Sequence, residues 1–155
     1  MPHTIEQRLQ DLGITLPEPP KPVASYLPYV ISGQTITVSG QVPMGPDGLE
    51  FVGKLGDTLT VEQGQAAARL CALNIIAQLN AAVGGDLDRI TQIVRLGGFV
   101  NCTDDFKGQP LVINGASDLM VDVFGDIGRH ARAAVGTNAL PGGVGVEIDA
   151  VATFQ

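Results

Sequence analysis

A chain of 155 residues is the length of one domain and long enough to bury a sizeable core. Apolar residues make up 45% and charged ones only 16%, a balance low in charge for a free-standing monomer that points to surface buried between copies. The net charge of −7, with nine scattered lysines and arginines and no basic run, argues against a nucleic-acid partner.

The two cysteines, Cys71 and Cys102, form no CxxC pair and suggest no disulfide framework. The first residues carry an amphipathic helix pattern, unlike a signal peptide, and no apolar run reaches membrane-spanning length. The expectation is a cytoplasmic protein without a membrane partner.

In chain order, residues 3 to 13 read as a short helix. Ile5, Leu9 and Leu12 share a face, Thr4 is the candidate N-cap and Gly13 the stop. Residues 16 to 22, LPEPPKP, read as an extended lead. Two short strands follow, Tyr29 to Ser32 and Thr35 to Ser39, joined by a two-residue Gly33-Gln34 turn. Residues 43 to 57 are a Gly/Pro/Asp loop, with Asp57 or Thr58 as cap for the strongest helix, residues 60 to 84. There Ala67, Leu70, Cys71, Asn74, Ile75 and Leu79 recur at helical spacing, and Gly84-Gly85 terminates the run.

Residues 89 to 102 form a β-branched strand with Gly97-Gly98 as a bulge or bend. After a loop, Pro110 suits the first turn of a second helix, residues 109 to 128. That helix is expected to bury Leu111, Leu119, Val123 and Phe124 and to end at Gly128.

The last stretch, HARAAVGTNALPGGVGVEID from His130 to Asp149, carries the candidate chemistry. An arm holding Arg132 leads into a Pro141-Gly142-Gly143 turn. An alternating strand follows, with Val144, Val146 and Ile148 on one side and Gly145, Glu147 and Asp149 on the other. The expected geometry is a hairpin that sets a guanidinium beside a carboxylate. An arginine fork matches the two oxygens of a carboxylate or phosphate, and a glutamate can handle a proton or a water. The competing reading is a surface ion pair.

The order β-β-α-β-α-β-β predicts an α+β fold, one mixed sheet with two helices on one face. The other face is too apolar for water, so self-association is expected to cover it. There is no GxGxxG after a first strand, no P-loop, no HExxH and no Ser-centred elbow. His3 and His130 are far apart in sequence, so surface or structural roles are expected and no metal site. Both cysteines read as core thiols.

Three segments, in order, carry a family resemblance: SYLPYVISGQTITVSGQVP, INGASDLMVDVFG and HARAAVGTNALPGGVGVEIDAVA. Over residues 23 to 155 the chain resembles the Rid family, the reactive intermediate deaminases, also called YjgF and formerly L-PSP endoribonucleases. Residues 1 to 22 fall outside the likeness. The resemblance implies a chorismate-mutase-like fold and a homotrimer that closes its sheets into a barrel with clefts between subunits. It also implies, without any cofactor, hydrolysis of enamine or imine intermediates such as 2-aminoacrylate to 2-keto acids and ammonia. Arg132 matches the arginine that clamps the substrate carboxylate, and Glu147 the glutamate that positions or activates water. Tyr26, Ser39, Gly40 and Asn114 match residues lining the cleft, with one residue more between Asn114 and Arg132 than in the deaminase type.

Each of these positions has a plainer reading. Glu147 would be a structural partner of Arg132, Tyr26 a packing residue, Ser39 a turn residue, and Asn114 an amide bonding backbone. The chain also departs from the pattern. Ala134 stands for the family's cysteine two residues after the arginine, and Gly136 for the acidic residue two further on. Imine hydrolysis needs a held carboxylate, a polarised imine and a water, with no protein nucleophile, so the departure bears on substrate identity more than on the chemistry. Three functions follow: an imine deaminase, a trimer that binds small carboxylates without turnover, and a ribonuclease, for which the acidic balance is unsuited.

Overall fold

The computed structural model describes residues 4–21 and 24–155. His3 lies outside the described residues. Helix α1 spans Ile5–Asp11, where Thr4 and Gln7 make a reciprocal capping box, and Gly13 turns the chain out at φ +68°. Ile5 and Leu9 are buried, but Leu12 is exposed, because it is the C-cap and has already left the apolar stripe.

Strands β1 (Tyr29–Ser32) and β2 (Thr35–Gln41) form the expected hairpin, with Gly33 at φ +60° in the turn. A two-residue pair, β3 (Met44–Gly45) and β4 (Gly48–Leu49), folds the loop after it. Helix α2 (Val61–Ala82) is capped by Thr60, and not by Asp57 or Thr58. Thr60 wins because Gln63, three residues on, completes a second capping box. Strand β5 is Ile90–Asn101, α3 is Gln109–Phe124, β6 is Ala131–Thr137 and β7 is Val146–Phe154.

Helix α3 ends earlier than Gly128. Gly125, at φ +67°, breaks it, and residues 125–128 make a 3-10 turn. Leu119, Val123 and Phe124 are buried, while Leu111 is 53% exposed because it sits in the first turn on the side away from the sheet.

The five-stranded sheet has the order β1-β2-β7-β5-β6, antiparallel except for the parallel β5–β6 pair. Helices α2 and α3 pack together on one face: α2 against β2 and β7, α3 against β5 and β6. This is the α+β architecture expected. The core is the layer between, with Ile36, Ile75, Leu79, Leu96, Ile113, Met120 and Ile148 fully buried. Among the described residues no helix is long and apolar enough to cross a membrane.

Two expectations about β5–β7 are corrected. The arms carrying Arg132 and Glu147 are not a hairpin, because β5 lies between them. Strand β6 runs parallel to β5, so the returning chain crosses the end of β5 and pairs on its far side. Asn101 holds that crossing: its backbone N–H donates to Gly145 O at 2.9 Å and its Nδ2 to Val144 O at 3.1 Å. Nor are Gly97 and Gly98 a bulge. They pair in regular register with Asp149 and Ile148, and the register shifts fall earlier, around Gln92 and between Ile93 and Arg95. The glycines serve close approach. A Cβ on Gly98 would lie 2.7 Å from Ile113 of α3, and one on Gly97 2.3 Å from the Asp149 carboxylate.

Candidate functional site

The predicted residues form two groups, one on each face of the sheet. Arg132 pairs with Leu96, whose side chain is in the core, so Arg132 points to the helix face. There Nη1 donates to Ser117 Oγ at 3.1 Å and Nη2 to the Pro110 carbonyl at 3.3 Å, both on α3. Glu147 lies between Val146 and Ile148, both fully buried toward the helices, so its side chain points to the opposite face.

The Arg132 group lines a hollow at the edge of the sheet, with Asn114, Ser117 and His130 around it. Helical spacing puts Asn114 and Ser117 on one face of α3, and His130, two residues before Arg132 and just ahead of β6, reaches the same hollow. His130 Nδ1 lies 2.6 Å from the Gly128 carbonyl, and Nε2 lies 2.9 Å from Ser117 Oγ. Ser117 was not singled out from the sequence, and His130 was set aside as surface or structural. The signal was present: Ser117 follows Asn114 by three residues, and His130 precedes Arg132 by two. Among the described residues Arg132 has no carboxylate partner; the ion pairs are Arg95–Asp149 and Arg129–Asp126.

On the other side, Glu147 lies against Gly40. A Cβ on Gly40 would come within 3.1 Å of the carboxyl carbon, so the missing side chain makes the space the carboxyl occupies. Ser39 Oγ donates to the Leu27 carbonyl at 2.6 Å and thereby ties the segment carrying Tyr26 to β2. Tyr26 is 52% exposed. Burial, and then the neighbouring Asp149, push the Glu147 carboxyl up from its ordinary value.

The two departures from the family pattern have local settings. Ala134 packs on the core. Gly136 has no room for a side chain: a Cβ there would meet Cys102 Sγ at 2.8 Å and Gln109 Nε2 at 3.1 Å. Both cysteines are buried, as expected, and burial, with Glu147 second, raises the Cys71 thiol well above its usual range. Among the described residues no group of three or more His, Cys, Asp or Glu side chains is placed to hold a metal ion.

This fold and the residues gathered on it have clear relatives. Residues 6–144 match the YjgF/chorismate mutase-like endoribonuclease family. The chain belongs to that family. The match begins inside α1, so the helix that the sequence likeness left out falls within it. Protein TCP17 of Trypanosoma cruzi is 50% identical over 148 residues, 95% of this chain and 92% of that protein. The crystal structure of Atu1372 from Agrobacterium tumefaciens, a protein of unknown function, is 47% identical. It covers 98% of this chain and 94% of its own, with a TM-score of 0.91. RidA from an Antarctic Psychrobacter is 27% identical over 88% of this chain and 94% of its own, with a TM-score of 0.60.

Proposed function

We propose that the protein is an imine deaminase, acting as a homotrimer whose clefts join the Arg132 face of one copy to the Glu147 face of the next. The observation that carries this reading is the guanidinium of Arg132. It is held in place by two neutral oxygens, Ser117 Oγ and the Pro110 carbonyl, and forms no ion pair among the described residues. Its remaining donors suit the carboxylate of a small imino or keto acid. Similarity to a RidA supports the reaction class.

In this reading Arg132 and Asn114 orient the substrate, and Glu147 of the neighbouring copy serves the water. Tyr26, Ser39 and Gly40 line the Glu147 side. A carboxyl raised by burial is a stronger base toward water than an exposed one. The exposed apolar side chains on the bare sheet face, Val30, Phe99 and Val135 among them, support assembly through it.

One observation favours the binding module as a second reading: Ala134 leaves the pocket without the family's thiol. The experiment that separates them is ammonia and keto-acid release from imines made in situ by an amino-acid oxidase, across several amino acids. Light scattering at micromolar protein accompanies it. Release above buffer with a trimeric mass supports the deaminase. Pyruvate binding without release supports the binder, and a stable monomer sinks the shared cleft.

A further inference from the structure

His130 and Ser117 are linked to Arg132 by a run of hydrogen bonds that the reading above does not use. A backbone carbonyl only accepts, so the 2.6 Å contact between His130 Nδ1 and Gly128 O commits the Nδ1 proton to that bond. The ring therefore gains and loses its other proton at Nε2, which faces Ser117 Oγ at 2.9 Å. Ser117 Oγ also accepts from Arg132 Nη1 at 3.1 Å. A base held by a third group and aimed at a hydroxyl is the arrangement that moves protons in many active sites.

We propose that Ser117 and His130 form a proton relay serving the nitrogen of a substrate held on Arg132. The inference rests on the deaminase reading. A carboxylate on the guanidinium brings the adjoining imino carbon and its nitrogen within reach of the Ser117 hydroxyl. Glu147 of the same chain cannot serve there, since it lies across the sheet. The other charged side chains around the hollow are Asp118 and Arg129.

The steps balance as follows. Water oxygen bonds to the carbon of the protonated imine, the C=N π pair moves to nitrogen, and one water proton passes to Glu147 of the neighbouring copy. Glu147 releases it to solvent and then takes the hydroxyl proton as the C=O bond forms. The nitrogen leaves with the C–N pair and takes a proton from Ser117 Oγ. His130 Nε2–H restores the hydroxyl, solvent recharges the half-buried ring, and Glu147 gives its second proton to solvent. One iminium and one water give one keto acid, one ammonia and one proton.

The competing role is structural: Ser117 and His130 would only hold the guanidinium in place. Ammonia release and pyruvate affinity are measured for wild type, Ser117→Ala, Ser117→Thr and His130→Gln, with melting curves confirming folded protein. Gln can bond to the hydroxyl but cannot shuttle a proton. The relay predicts that Ser117→Ala and His130→Gln lower kcat about 100-fold, while pyruvate affinity stays within about twofold and Ser117→Thr keeps most turnover. If His130→Gln turns over like wild type, or if pyruvate affinity falls as far as kcat, the relay is overturned and the deaminase reading stands. If wild type releases no ammonia above buffer from any imine, the deaminase reading fails, and the relay with it.

Discussion

Arg132 and Glu147 lie on opposite faces of one sheet, with the whole width of β5 between their strands. No rotamer of either side chain brings them together within a chain. A site that needs both must be assembled from two copies. Arg132→Ala and Glu147→Gln chains, each inactive alone, should therefore complement when refolded together. A random mixture in equal amounts gives about a quarter of its interfaces one intact arginine and one intact glutamate, so about a quarter of wild-type deaminase activity should return. A mixture no more active than its parts would refute the shared cleft.

Arg132 should be irreplaceable by lysine. Lysine keeps the charge but loses the planar fork and cannot bond Ser117, Pro110 and a carboxylate together. Arg132→Ala and Arg132→Lys should both weaken pyruvate binding about 10- to 100-fold, as expected for loss of charge-assisted bonds of about 1.5–3 kcal/mol. Calorimetric titration measures it, and wild-type affinity in either variant would make the arginine a structural residue.

Stability should carry the mark of Glu147. Its carboxyl is pushed up in the folded state, first by burial and then by Asp149, so the neutral form is the one the fold favours. With the folded value above the unfolded one, that contribution is fully present below the unfolded value and is lost as pH rises through the folded value. Glu147→Gln, permanently neutral, should melt higher than wild type at neutral pH, and the gap should close on acidification. A gap that stays constant with pH would show that the carboxylate is not penalised.

Gly115 holds the two helices close. A Cβ there would lie 2.1 Å from the Gln65 carbonyl of α2, and that contact is backbone, which cannot swing aside. Gly115→Ala gains helix propensity but should still cost about 1–3 kcal/mol through overpacking. Chemical denaturation tests it, and a stabilised variant would mean that the helices separate freely.

Local signals in the sequence located most elements within a few residues. The capping threonine at Thr4, the Gly33 turn, the alanine-rich face of α2 and Pro110 at the start of α3 each act through neighbours a few residues away. What local pattern could not supply was strand order. The turn at residues 141–143 looks like a hairpin, and only the parallel pairing of β6 with β5, made through α3, sends β7 to the far side. For the same reason Arg132 and Glu147 could be named singly but not placed relative to each other. Ser117 was missed because its role depends on His130, 13 residues further along the chain and just before β6.

Gln92 sits between the two register shifts of β5, and its Nε2 donates to the Ile127 and Arg129 carbonyls at 3.0 and 2.6 Å. Those two carbonyls flank Gly128, whose own carbonyl aims the His130 ring. The bearing of the imidazole is thus inherited from an irregularity on the neighbouring strand that contributes nothing to the lining of the hollow. In the proposed relay, a change at these register shifts re-aims the imidazole while every residue lining the hollow stays the same, so identical linings do not by themselves imply one substrate.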